Sequence, residues 1–137
     1  NAVLEHGGYV TGVIPESLKE KELGHPGLSK LYIVASMHER KAMMERLSQG
    51  FIALPGGIGT LEEIFEILTW AQLGLHRKPC GLLNVNGYYD GLISFLKTAE
   101  RQGFLGELFE KRLLLGDKAG PLLDQMTAAF EPDLEDA

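Results

Sequence analysis

Three glycines fall within four residues of Pro55-Gly56-Gly57-Ile58-Gly59-Thr60, directly after the apolar run Phe51-Ile52-Ala53-Leu54 and before a stretch of helical periodicity. Glycine lets backbone amides approach an anion closely. The start of a helix adds N–H groups outside the hydrogen-bond ladder and a partial positive charge. The segment therefore reads as a phosphate cradle, to which Thr60 adds a hydroxyl. A triphosphate P-loop needs Lys and then Ser or Thr right after its last glycine, whereas Gly59 is followed by Thr60 and Leu61. The dinucleotide fingerprint G-x-G-x-x-G also fails, because Glu62 stands where its third glycine belongs. A monophosphate fits this turn better than either larger ligand. The competing reading of the same glycines is a tight strand-to-helix turn with no ligand.

Glu63 also has two readings. Thr60-Leu61-Glu62-Glu63 has the spacing of a capping box, with Thr60 capping the helix and Glu63 reaching back to the Thr60 amide. Alternatively, a carboxylate kept beside a phosphate site despite the repulsion is held there for chemistry. A cation comes from Met37-His38-Glu39-Arg40-Lys41-Ala42-Met43-Met44. Met43, Met44 and Leu47 form a helical apolar stripe, and Arg40 shares its face at three and four residues' spacing. Lys41 points elsewhere on the helix. Arg40 is then either a side chain snorkelling from a helix start or a cation at the C-terminal edge of the sheet, facing the crevice where α/β sheets bind ligands.

Other candidates are weaker. His6, His25, His38 and His76 show no metal-ligand spacing, and no G-x-S-x-G nucleophile elbow exists. Cys80 is the only cysteine, which excludes an intrachain disulfide and a cysteine-based metal cluster. It reads as a small core residue in a reducing, cytoplasmic setting. Trp70 reads as a core or subunit contact. Tyr88-Tyr89-Asp90 can edge the crevice or simply start a helix.

The elements that must position these residues alternate regularly. Continuous apolar runs at Tyr9–Ile14, Leu31–Ala35, Phe51–Leu54, Cys80–Asn84 and Leu113–Leu115 read as strands covered on both faces, as in a parallel sheet. Pro15 and Pro55 stop two of them, and Asn86-Gly87 turns the chain after the fourth. Helices are predicted over Leu61, Ile64, Phe65, Leu68 and Ala71, then over Leu92, Phe95, Leu96 and Ala99, then from Pro121 through Leu122, Leu123, Met126 and Ala129. Ala2–His6 reads as a helix end stopped by Gly7 and Gly8. The alternation predicts a doubly wound α/β sheet, lacking an N-terminal strand in this chain.

With 137 residues, 45% hydrophobic and 23% charged, the chain has the size and composition of one globular domain, 1–137. Residues 131–137 read as an acidic, flexible tail. A net charge of -6 gives no electrostatic basis for nucleic-acid binding, and no apolar run is long enough to cross a membrane.

Pro55–Glu63 resembles the P-G-G-x-G-T-x-x-E signature of the Lonely Guy family of cytokinin riboside 5′-monophosphate phosphoribohydrolases, often labelled lysine decarboxylases. Met37–Lys41 is similar to that family's second signature. The likeness continues through Leu68–Gly74 and Leu83–Tyr89, over most of the chain. It implies a Rossmann-like fold, a homodimer, no cofactor or metal, and cleavage of the base–ribose bond of AMP-like nucleotides. It carries catalytic roles to Arg40 and Glu63. Substrate binding is carried to Met37, Lys41, Gly56, Gly57, Ile58, Gly59, Thr60, Glu62 and Glu22. The family's N-terminal strand and G-L-M-G turn have no counterpart here. A non-catalytic nucleotide-binding module is the alternative. Lysine decarboxylation is disfavoured, because Lys41 is the only lysine near the motifs and lacks an evident acidic partner for a pyridoxal ring nitrogen.

Overall fold

The computed structural model describes residues 2–16 and 27–130. The chain forms two compact units, Asn1–Ser48 and Gln49–Ala137. The acidic tail expected at 131–137 lies outside the described residues.

In the first unit, α1 (Ala2–Glu5) is followed by Gly7 at φ 77°, the left-handed conformation that ends helices. Strands β1 (Thr11–Pro15) and β2 (Lys30–Val34) pair in parallel, from Thr11 opposite Lys30 to Pro15 opposite Val34. Pro15, expected as the stop of the first strand, is its last residue. Helix α2 (Met37–Leu47) is capped by Ser36, whose hydroxyl accepts from the Glu39 amide at 3.2 Å. The Glu39 carboxylate accepts in turn from the Ala35 amide at 2.8 Å. Ser36-Met37-His38-Glu39 thus satisfies backbone donors from both ends of a Ser-x-x-Glu pair, close to a capping box.

In the second unit, β3 (Phe51–Ala53), β4 (Cys80–Leu83) and β5 (Leu113–Gly116) form a parallel sheet in the order β3-β4-β5. Phe51 lies opposite Cys80, and Cys80 opposite Leu113. The helices are α3 (Ile58–Gln72), α4 (Asp90–Arg101), α5 (Leu108–Lys111) and α6 (Ala119–Ala129). Strand β4 shows why its sequence is apolar throughout. Successive strand side chains alternate between faces. Cys80 and Leu82 enter a core with Ile64, Ile67 and Leu68 of α3 and Leu96 of α4. Gly81 takes the opposite face, where a Cβ would stand 3.2 Å from Met126 Sδ and 3.3 Å from Leu122 of α6. Helices therefore cover the strand on both sides, and the Rossmann-like parallel α/β architecture is the one the strand–helix rhythm predicts.

The structure differs from that reading at three places. Helix α6 starts at Ala119, so Pro121 sits inside its first turn, where a missing N–H leaves no ladder bond unmade. Phe95 is not on the inner stripe: it is 66% exposed, because α4 turns Tyr89, Leu92, Ile93 and Leu96 inward instead. Helix α5 has four residues, too few to leave a periodic signal, although its Leu108 is buried.

Candidate active site

The turn after β3 is built so that backbone faces outward. Helix α3 begins at Ile58 with Gly57 as its cap residue and no capping side chain. Its first bond runs from the Leu61 amide to the Gly57 carbonyl at 3.1 Å. The amides of Ile58, Gly59 and Thr60 therefore lie ahead of the helical ladder. The three glycines have different reasons to be there. A Cβ on Gly56 would stand 2.9 Å from the Cβ of Thr60, so the threonine side chain excludes any other residue. Around Gly57 and Gly59, apart from the chain neighbours and the backbone of the helix itself, no described atom lies within 4 Å of an added Cβ, and neither residue has positive φ. Neither packing among the described residues nor backbone geometry requires glycine at these two positions. Gly59 also costs the helix up to about 1 kcal/mol relative to alanine. What the pair leaves is bare backbone facing open space, which a closely approaching anion needs.

The helix start settles one of the two readings of Glu63. With Gly57 as the cap, Thr60 is the third helical residue and Glu63 the sixth, so they do not form a capping box. The capping reading fails because the helix begins at Ile58, two residues before Thr60, with Gly57 as its cap residue. Glu63 is half-buried and Glu62 is exposed. Glu63 follows Gly59 by four residues and Thr60 by three, which puts it on their face of the helix, about 6 Å further along the axis. Helical side chains lean toward the N-terminus. Ile58, also expected to bind substrate, is 83% exposed at the head of the helix.

Arg40, Lys41 and Met37 belong to the first unit, on α2. The half-buried Arg40 donates from Nε to the Val13 carbonyl of β1 at 3.1 Å. This bond ties the guanidinium to the middle of β1, so Arg40 does not simply snorkel to solvent. Lys41 reverses the expectation that it points away from the packed face. At 8% exposure it is the buried residue of α2, while Met43 and Met44 are half-buried and Leu47 is exposed. Burying an ammonium is costly unless it is paired or hydrogen-bonded. Met37 is exposed. Glu22 lies outside the described residues.

Tyr88 and Tyr89 bear directly on the glycine turn, which the sequence reading left open. The Tyr88 hydroxyl donates to the Gly56 carbonyl, and the Tyr89 hydroxyl donates to the Leu54 carbonyl at 2.6 Å. Parallel neighbouring strands end side by side, so residues after β4 naturally reach the turn after β3; that adjacency was the available signal. His76 is a satisfied core histidine. Its Nδ1 accepts from the Lys78 amide at 3.1 Å and its Nε2 lies 2.9 Å from the Ile67 carbonyl, which places the ring proton on Nε2. Among the described residues no group of three or more His, Cys, Asp or Glu is placed to hold a metal ion. Nor is any helix among them long and apolar enough to cross a membrane.

A family model described as "Possible lysine decarboxylase" matches residues 1–126. A cytokinin riboside 5′-monophosphate phosphoribohydrolase of Oryza sativa subsp. japonica is 43% identical over 152 residues, covering 98% of this chain and 63% of that protein. One of the same name from Rhodococcoides fascians is 52% identical over 116 residues, covering 84% of this chain and 59% of that protein. An Arabidopsis thaliana protein of that name is 55% identical over 104 residues, covering 76% and 48% respectively. The chain thus spans between 48% and 63% of the length of these three relatives.

Proposed function

The chain belongs to the family described as possible lysine decarboxylases, with the Lonely Guy likeness borne out, and from that premise we propose that it hydrolyses AMP-like or cytokinin nucleoside 5′-monophosphates to free base and ribose 5-phosphate. The observation that carries the reading is the open backbone at Gly57 and Gly59 with Glu63 one turn below it. The 5′-phosphate takes the amides at the head of α3, with the Thr60 hydroxyl beside them. The ribose then extends along the helix toward Glu63. The bond between C1′ and the base nitrogen breaks, its electron pair leaves with the base, and the base takes up a proton. Water adds to C1′ and loses a proton. Positive charge develops on the sugar during cleavage, and a carboxylate stabilises that oxocarbenium-like state or activates the water. Arg40 supplies a guanidinium for the phosphate or for orienting Glu63. Met37, Lys41, Glu62 and Glu22 complete substrate binding. No step requires a metal or an organic cofactor.

Incubation of the protein with AMP and with isoprenyl-AMP, followed by chromatography, should release free base. Tight binding of both without base release would instead indicate a non-catalytic nucleotide-binding module. Carbon dioxide released from lysine with a pyridoxal absorbance band would indicate the decarboxylase reading. We further propose a cytoplasmic homodimer, with the helices around Trp70 and Met43–Met44 contributing. Leu73 and Leu75 support it: just beyond Trp70, they are 70% and 68% exposed, large apolar side chains that self-association would cover. A monomer mass by light scattering at micromolar concentration would refute the dimer.

A further inference from the structure

The two tyrosines after β4 do more than start a helix. Asn86 at φ 52° and Gly87 at φ 73° both take the left-handed conformation, which reverses the chain and brings Tyr88 and Tyr89 under the glycine turn. The rings brace each other edge to face, with centroids 4.9 Å apart and planes at 76°. Asn84 holds the base of this arrangement. Its Oδ1 accepts from the Tyr89 amide at 2.7 Å and its Nδ2 donates to Asp90 at 2.8 Å. The hydroxyls then grip the carbonyls of Leu54 and Gly56, on either side of Pro55.

That grip has a directional consequence. In a trans peptide the carbonyl and the following N–H point in opposite directions. Holding the Gly56 carbonyl therefore aims the Gly57 N–H the other way. It also turns a carbonyl oxygen, which would repel an anion, toward a hydroxyl. A hydrogen bond accepted by the carbonyl polarises the peptide and makes its N–H a better donor. Burial first, and the neighbouring Tyr88 second, push the Tyr89 phenol above its ordinary pKa; both phenols donate at neutral pH simply because tyrosine ionises only at about pH 10.

Resting on the phosphate cradle proposed above, we propose that Tyr88 and Tyr89 are positioning residues that aim the cradle's amides at the substrate phosphate. Tyr88→Phe is the decisive variant. The Tyr88 ring is 56% exposed, so loss of its hydroxyl leaves packing intact. Two measurements are made on wild type and variant: the binding of inorganic phosphate by calorimetry, and the kcat and KM for AMP. The expected result is phosphate binding weakened by roughly 3- to 10-fold, KM raised by the same factor, kcat within about twofold, and an unchanged melting temperature. Tyr89→Phe should show the same pattern together with a lower melting temperature, since Tyr89 is buried. Wild-type phosphate affinity and KM in Tyr88→Phe would overturn the clamp and leave the glycosidase reading standing, as would a fall in kcat alone. If wild type binds phosphate but releases no base, the glycosidase reading fails and the calorimetric comparison still decides the clamp. A wild type that binds no phosphate would overturn the cradle and the clamp with it, while base release from AMP decides the glycosidase reading.

Discussion

Gly59→Ala separates what the fold needs from what a ligand needs. Position 59 is the second residue of α3, where the added methyl meets no described atom within 4 Å apart from the chain neighbours and the backbone of the helix itself, and the backbone is not left-handed. By helix propensity alone the substitution should stabilise the protein, by up to about 1 kcal/mol. That corresponds to a rise in melting temperature of roughly 2–5 °C for a chain of this size. The same methyl stands where a phosphate oxygen must come within about 3 Å of an amide nitrogen. Losing one charge-assisted hydrogen bond costs on the order of 1.5–3 kcal/mol, or about 10- to 100-fold in affinity. Gly57→Ala gives the contrast, because alanine is a poorer helix cap than glycine. It should lower stability while weakening phosphate binding in the same way. Scanning calorimetry gives the stabilities, and titration with inorganic phosphate gives the affinities. A Gly59→Ala protein that is more stable and binds phosphate normally would show that the bare backbone serves no ligand, and the cradle would fall.

Arg40→Ala should reduce turnover and also lower stability, because it removes the Nε bond to Val13. Arg40→Lys should not restore turnover, since an ammonium lacks the planar fork; full rescue by lysine would refute a bidentate role. Cys80, fully buried, has its thiol pushed up to about 12 from 9.0, chiefly by burial. Below pH 9 the thiol is protonated in both folded and unfolded chains and affects nothing. Above it the unfolded chain loses the proton and the folded one does not, so stability should fall with rising pH, by up to about 1.4 kcal/mol per unit. Urea midpoints at pH 8 and 10 should therefore fall less in Cys80→Ala than in wild type; equal falls would refute the assignment.

The strands beside the glycine turn were legible because each is short, apolar throughout and closed by a breaker: Phe51–Ala53 ahead of Pro55, Cys80–Leu83 ahead of Asn86-Gly87. Helix starts were less legible. A Thr-x-x-Glu pair stands at 60–63 and a Ser-x-x-Glu pair at 36–39, and local spacing cannot choose between them. Ser36 caps α2, whereas α3 starts at Ile58 behind a Gly57 cap, in a turn held by two tyrosines from the segment after β4. Such tertiary bonds have no sequence period. Lys41 was misplaced for a related reason. Its face of α2 was read from the neighbouring methionines, as if a burying face must be apolar, yet the buried side chain there is the charged one.

The placement of Glu63 poses an electrostatic problem whose answer is a test. A phosphate at the head of α3 and a carboxylate about 6 Å along the same face repel each other. The repulsion is roughly 3 kcal/mol at an effective dielectric near 20 and below about 1 kcal/mol in water. The helix dipole favours the phosphate by about 0.3–1 kcal/mol, which offsets part of that cost in the bound state. During glycosidic cleavage the sugar between them becomes positive, and the same two charges then attract it. An arrangement unfavourable with substrate bound becomes favourable at the transition state, and that difference is what accelerates a reaction. Glu63→Gln removes the charge and keeps the shape. It should bind inorganic phosphate more tightly, by about 3- to 30-fold, while turnover of AMP falls by about 100-fold or more. Tighter phosphate binding with slower turnover is a combination that a cap or a substrate-binding contact would not produce. Unchanged or weaker phosphate binding in Glu63→Gln would mean that this carboxylate does not face the anion, and its catalytic role would have to be abandoned.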